Sequence, residues 1–346
     1  MSQAIQIIRL LGLGKAIRTQ KRFGQALPHV RGYAVCSCLW ALLETGALDR
    51  LLEGGPVAVD DLVSRYHLDR HVLESVLNYL DGLSLVRVES GEVRALGPLV
   101  QLMAEPRGFF ELTYAYAPIL ARLPAMLHGE AKYPADVQRL GKYVGRGSGQ
   151  LCRTLPYPVL ADMLRRHGAR LVLDLGCGDL AFLFYVCETH PDISGIGIDV
   201  DGPTVAYAKE MLAASPYAGR IEVRQADMFH LEEVARDRPD VDAITAVDTY
   251  HEYLSENDEE VVVRLLGKLR REFPRAILYV GEFCKQPHER LRRRPVAFLE
   301  HHLLHDLTNQ TIAEAPRWRR IFRQASLAIL EEKVFDVVGH GYFVLR

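Results

Sequence analysis

LVLDLGCGDL, residues 171–180, is the stretch whose reading decides the fold. An apolar run of strand length closes on Asp174. Gly176 and Gly178 then form a turn, and helix-forming residues follow. Glycine in such a turn lets the backbone take positive φ and lets a ligand approach it closely. The N-terminus of the next helix supplies free N–H groups. A dinucleotide fingerprint would need a third glycine where Ala181 stands, and a phosphate loop would need a Lys-Ser/Thr pair after the turn. Neither is present, so the turn reads as a nucleoside site of another kind.

Downstream, ISGIGIDV, IEVRQADMF, DAITAVDTY and AILYVGEF are apolar runs separated by helical stretches. Alternating strands and helices with apolar strands predict a parallel sheet covered on both faces. EKVFDVVGHGYFVLR predicts two more strands around Gly-His-Gly, paired as an antiparallel hairpin at the sheet edge. Asp199 ends the second strand, where a carboxylate can accept from both hydroxyls of a ribose. Asp227 ends the third, within reach of an adenine amino group.

Upstream, the texture is helical. ALLETGALDRLLEGG predicts a helix stopped by Gly-Gly. Asp60 and Asp69 are placed as N-caps of two further helices. VRVESGEVRAL alternates around Ser-Gly as a hairpin does. Three helices and a hairpin make a winged-helix arrangement. HVLESVLNYLDGL, where a DNA reader would be basic, carries Glu74 and Asp81 instead. Packing or dimerisation is therefore the expected role. Residues 106–165 predict helices joined by a flexible glycine-rich loop, YVGRGSGQ.

Bulk properties agree. The 346 residues are 49% hydrophobic, with a net charge of −2, so no nucleic-acid partner is expected. No apolar run is long enough for a membrane span. The amphipathic N-terminus lacks signal-peptide features and reads as a docking helix, against the body or a second subunit. Six scattered cysteines without a CxxC pair suit a reducing cytoplasm. Cys177 and Cys284 fall near the expected site and read as packing residues.

The combination D-L-G-C-G, I-D and A-D-M-F resembles the class I S-adenosylmethionine (SAM) methyltransferases. That resemblance implies that Gly176 and Gly178, beside Asp174, line the methionine part of SAM, that Asp199 holds the ribose, and that Asp227 and Met228 flank adenine. A winged-helix segment before such a domain resembles the plant and bacterial small-molecule O-methyltransferases. It implies a Rossmann-like α/β domain over 166–346, a helical, winged-helix-like dimerisation domain over 1–105 and a linker and substrate cover over 106–165. Those enzymes carry His-Asp-Trp after the fourth strand. This chain has DTYHEYL, with His251 matching the general base, Glu252 in place of Asp, and no Trp. Glu282 matches the acid that braces the base. Their Gly-Gly-x-x-Arg-Thr segment is missing.

In its place stands HHLLHDLTNQ, residues 301–310. With the upstream His-Glu, this resembles the α-keto-acid C-methyltransferases acting on 2-ketoarginine or phenylpyruvate. The resemblance implies that His251 and His305 hold a metal ion chelated by the keto acid, and that Asn309 and Gln310 belong to the site. A Lewis acid stabilises the enolate that must form before the β-carbon can attack a methyl group. Imidazole and carboxylate donors suit a divalent or ferric ion of iron, zinc, cobalt or nickel. Glu252 and Glu282 are each open to three roles: third ligand, brace for His251, or acceptor of the β-proton. His301 and His302 are expected on an exposed helix face, with His301 a spare ligand. Arg122, Arg146 and Ser148 are candidates for the substrate carboxylate. Phe109, Phe110, Tyr114 and Tyr116 are candidate pocket walls, most of them better explained as core. The expected activity is C-methylation of an α-keto acid in amino-acid or natural-product biosynthesis. The rival readings are a metal-independent O-methyltransferase with His251 as base, and a non-catalytic SAM-binding or winged-helix regulator.

Overall fold

The computed structural model describes residues 3–255, 258–294, 296 and 299–346. The chain divides into two compact units, Met1–Glu111 and Leu112–Arg346.

The first unit opens with helices Gln3–Leu11 and Leu13–Glu44, broken at Gly12. Ile7, Leu10, Leu13, Ile17, Phe23, Val30 and Tyr33 are exposed along them. The expected single helix ALLETGALDRLL is two helices: Gly46 takes φ 81° and separates Glu44 from Ala47–Leu52. Asp69 caps Arg70–Gly82 by accepting from Val72 N at 2.9 Å. Asp60 does not cap: the cap of Val59–Tyr66 is Ala58, and Asp60 lies in the first turn, paired with Arg70. Strands β1 (Val57–Ala58), β2 (Val86–Glu89) and β3 (Glu92–Ala95) form a sheet of order β1-β3-β2. Ser90 and Gly91, with φ 52° and 80°, turn the β2–β3 hairpin, as a two-residue loop requires. Phe110 is tied down through its carbonyl, which accepts from Trp40 Nε1 at 3.0 Å.

The second unit is the expected α/β layer structure. Strands β4 (Leu171–Leu175), β5 (Ser194–Asp199), β6 (Ile221–Gln225), β7 (Ala243–Val247), β8 (Ile277–Phe283), β9 (Ile329–Phe335) and β10 (His340–Leu345) form one sheet of order β6-β5-β4-β7-β8-β10-β9. β4 to β8 run parallel, while β10 pairs antiparallel to both β8 and β9. The edge hairpin is thus present, and its turn lies at Asp336–Gly339, with His340 already in the strand. Side chains alternate across a strand. Leu171, Leu173 and Leu175 enter one core with helices Glu260–Glu272 and Ala315–Gln324. Val172 enters the other, with helices Pro156–Arg166 and Ala181–Thr189.

The glycine-rich stretch YVGRGSGQ is not a loop. It lies inside helix Gly141–Cys152. Each glycine costs about 1 kcal/mol of helix propensity. Packing accounts for one of them. A Cβ on Gly147 would lie 2.5 Å from the backbone nitrogen of Leu112, whereas one on Gly149 would make an ordinary contact, 3.4 Å from Cβ of Ala181. Gly147 permits close approach and not mobility. From Leu112 onward this helical region folds with the second unit. Among the described residues, no helix is long and apolar enough to cross a membrane.

Candidate active site

A cavity of about 330 Å³ opens at the carboxyl ends of β4 to β7. Asp174, Gly176, Gly178, Asp199, Asp227 and Met228 all line it. Gly176 and Gly178 take φ 68° and 52°. A Cβ on Gly176 would also press on the Thr249 side chain at 3.3 Å, whereas at Gly178 only the backbone conformation favours glycine. Asp199 steadies the turn: Oδ2 accepts from Gly178 N at 3.2 Å and Oδ1 from Asp201 N at 3.0 Å. Asp227 accepts from Phe229 N at 2.9 Å. Asp174 is buried and accepts from Thr245 Oγ1 at 2.7 Å. Burial pushes its carboxyl up to about 7, against the hydrogen bond from Thr245 and with help from nearby Asp199. Cys177 also lines the cavity, but burial raises its thiol far from nucleophilic range. Cys284 is fully buried in the core.

Beside this cavity lies a cluster of imidazoles. Residues 250–253 form a short 3₁₀ turn after β7. Glu282, fully buried in β8, gathers that turn. Its Oε1 accepts from the backbone N–H of Thr249 at 3.0 Å, Tyr250 at 2.5 Å and His251 at 3.4 Å. Its Oε2 accepts from His251 Nδ1 at 2.9 Å. Helix Glu300–Leu307 brings His305 so that the two rings lie 5.0 Å apart between centroids. His305 Nδ1 donates to the carbonyl of His301 at 2.8 Å. In both rings Nδ1 is therefore occupied and Nε2 keeps its lone pair, the tautomer a ligating or proton-accepting imidazole needs. Burial and the neighbouring His251 hold His305 well below the ordinary imidazole range, so it is neutral near pH 7. His251 is also pulled down by burial, but its pair with Glu282 outweighs this and raises it.

The expected exposed histidine face is not found. His301, His302 and His305 are 3%, 8% and 3% exposed, and the wet face carries Leu303 and Asp306. His301 packs on Phe283 and on His305, each at 3.9 Å between centroids. Turning His301 and His305 inward requires a partner surface, which Phe283 of β8 provides. Among the described residues, no three His, Cys, Asp or Glu side chains are arranged to hold a metal ion. A metal here would rest on two protein nitrogens.

Glu252, half exposed at the cavity mouth, accepts through Oε1 from Arg139 at 2.8 Å and from Gln310 Nε2 at 2.9 Å. Gln310 accepts in turn from Thr308 at 2.9 Å. Arg139 also reaches the hydroxyl of Tyr116 at 3.4 Å. Tyr116 is buried 6.3 Å from the His305 ring. Arg139 was not legible beforehand, since VQRLG carries no motif. Asn309 is exposed, with φ 57°, and donates to the Tyr133 carbonyl at 3.3 Å. Ser148 lines the cavity. Arg146 sits over the Tyr143 ring, which also packs on Tyr114. Arg122 is exposed on helix Ala117–Leu127.

Comparison with known proteins bears on this arrangement. Residues 172–272 match the family model described as a methyltransferase domain. The chain is 28% identical to 2-ketoarginine methyltransferase of Streptomyces arginensis over 323 residues, covering 91% of each. Among solved structures, mitomycin 7-O-methyltransferase covers 96% of this chain and 99% of its own, with TM-score 0.65 at 14% identity. Human N-acetylserotonin methyltransferase in complex with SAM covers 94% and 97%, with TM-score 0.68 at 15% identity. At those identities the structural likeness speaks for the fold. With the glycine turn and the strand-end acids at one cavity, the chain is a class I SAM-dependent methyltransferase.

Proposed function

We propose that this enzyme methylates the β-carbon of an α-keto acid with the aid of a metal ion held by His251 and His305. The observation that carries this reading is the pair of buried imidazoles with both Nδ1 positions occupied and both Nε2 lone pairs available, beside the donor cavity. The keto-acid substrate in the name of the Streptomyces relative supports it. Two protein nitrogens leave coordination positions for a bidentate acid and water. An ion held by His251 and His305 would supply Lewis acidity for loss of the β-proton, and SAM would supply the methyl group.

The chain's own residues do the rest. Glu282 is committed through both oxygens to the turn and to His251, so in this reading it braces the ring and neither ligates nor takes a proton. Glu252 engages Arg139 and Gln310 through Oε1 and lines the cavity, which makes its carboxylate the proton acceptor of choice. Arg139, beside Glu252 and Tyr116, is the cation placed to meet a substrate carboxylate. Gln310 holds Glu252, Asn309 holds the Tyr133 segment, and Asp199, Asp227 and Asp174 serve the donor. A second copy would cover the apolar face of the N-terminal helices, giving a homodimer in the cytoplasm.

A second reading has its own support. The pair with Glu282 raises His251, as a general base for a hydroxyl acceptor would require, and O-methyltransferases share the fold. One experiment separates them. The purified enzyme is analysed for metal, then offered labelled SAM with a panel of α-keto acids and phenols, with and without a chelator. Label on the carbon next to the keto group, abolished by chelation, is the expected result. Label on oxygen that survives chelation would establish the second reading.

A further inference from the structure

Asp248, immediately after β7, has no part in the chemistry above, yet it is held on every side. It takes φ 52°, a left-handed conformation that aspartate tolerates better than most residues but still a sparsely populated one. Its N–H donates to the Gly281 carbonyl at 2.8 Å. Oδ1 accepts from His340 Nε2 at 2.8 Å, and Oδ2 accepts from the Cys152 thiol at 3.4 Å. His340 lies against Gly281, where a Cβ would meet the imidazole at 3.5 Å, an ordinary contact, and Leu160 more tightly at 3.0 Å. The carboxylate nonetheless keeps 12% exposure, and Asp248 lines the cavity.

The order of strand ends says which part of the donor it meets. Along β6-β5-β4-β7, the cavity is lined by Asp227, Asp199, Asp174 with Gly176, and then Asp248. A donor whose nucleoside lies against Asp199 and Asp227 brings its amino-acid and sulfonium end to β4 and β7. The lining holds Asp174, Asp179, Asp199, Asp227, Asp248 and Glu252, and among the described residues no Lys, Arg or His. SAM carries one more positive charge than S-adenosylhomocysteine. On transfer, the acceptor's electron pair forms the new bond to the methyl carbon. The electron pair of the broken carbon–sulfur bond stays on sulfur, and the sulfonium charge disappears.

We propose that Asp248, locked by His340 and Cys152, is a donor-binding residue that reads the sulfonium charge, so that the cavity grips SAM and loosens on the uncharged thioether product. His340 is then a positioning residue acting through Asp248. The proposal rests on the donor alone and is independent of the acceptor.

The test is calorimetric binding of SAM and S-adenosylhomocysteine to the full chain, without acceptor, for the parent protein, Asp248→Asn and His340→Gln. Asp248→Asn, which keeps the shape and the hydrogen-bond acceptor, should weaken SAM roughly tenfold and the product less than about twofold, as loss of one charge-assisted contact predicts. His340→Gln should shift the same ratio in the same direction by a smaller factor. Equal weakening of both ligands in folded variants, or none, would overturn the proposal and leave Asp248 a structural lock. If Asp248→Asn fails to fold, the ratio in His340→Gln decides. Failure of the parent protein to bind SAM at all would instead overturn the donor assignment itself.

Discussion

The donor cavity and the histidine cluster sit at the same end of one sheet, yet they are made of opposite materials. The cavity is lined by carboxylates and glycine backbone, and its key residues follow β4, β5 and β6 within sixty positions of one another. The cluster is imidazole and aromatic, and His251 and His305 come from separate elements joined by packing on Phe283 and by the Gln310–Glu252 hydrogen bond. A cavity for a cation tolerates open, hydrated acids. The His305 ring must be dry, because burial is the main cause that keeps it uncharged. One region recognises by charge and backbone shape, the other by fixed lone pairs.

If the two regions are separable, damage to one should leave the other standing. The largest effect is expected at the rings. His305→Ala and His251→Ala should each lower turnover by about a thousandfold or more, as loss of several kcal/mol of electrophilic stabilisation implies. Metal content should fall with it, while SAM affinity measured by calorimetry stays within about threefold. Loss of SAM binding in His305→Ala would erase the division.

Glu282→Gln sharpens it. The amide oxygen can still accept from the three backbone N–H groups, but the amide nitrogen would then face His251 Nδ1 and donate to it. That forces the proton onto Nε2 and hides the lone pair. Activity and metal affinity should drop about ten- to a hundredfold, the range for changes to a ligand's hydrogen-bond partner. Far-ultraviolet circular dichroism should be unchanged.

Asp199→Ala tests the other side. If Asp199 holds the ribose, removing this charged acceptor should weaken SAM by about tenfold or more, with metal content intact.

The smallest effect is a slope. Asp174 has a folded pKa of about 7, above the unfolded carboxyl value. The folded state therefore favours the protonated form, and its contribution to stability is full at low pH and declines as pH rises toward about 7. Asp174→Asn should flatten the donor-free protein's loss of stability between about pH 6 and 7, by at most about 1.4 kcal/mol per unit. Denaturant melts at the two pH values read it.

Much of the cavity was legible in advance because its signals are local. A buried parallel strand is an apolar run, and Gly176, Gly178, Asp199 and Asp227 sit at run ends whatever the tertiary arrangement. The histidine cluster was legible only through resemblance, and only for His251 and His305. The burial of His301 depends on where Phe283 stands, and periodicity on one helix cannot reveal a neighbour. Arg139 and the Asp248–His340 pair join residues 113 and 92 positions apart, beyond the reach of spacing arguments. The glycines of helix Gly141–Cys152 misled for the same reason. Glycine marks mobility or contact, and only the nearness of Leu112 distinguishes them.

That contact makes Gly147 a spacer of zero thickness. Val144, Gly145, Ser148 and Gly149, on the same helix, form part of the cavity wall. Adding one methyl group at Gly147 would wedge the helix away from the Leu112 backbone and move that wall without altering any atom that faces the ligand. Cofactor fit in this enzyme is thus adjustable from behind, by the size of a residue the donor never meets.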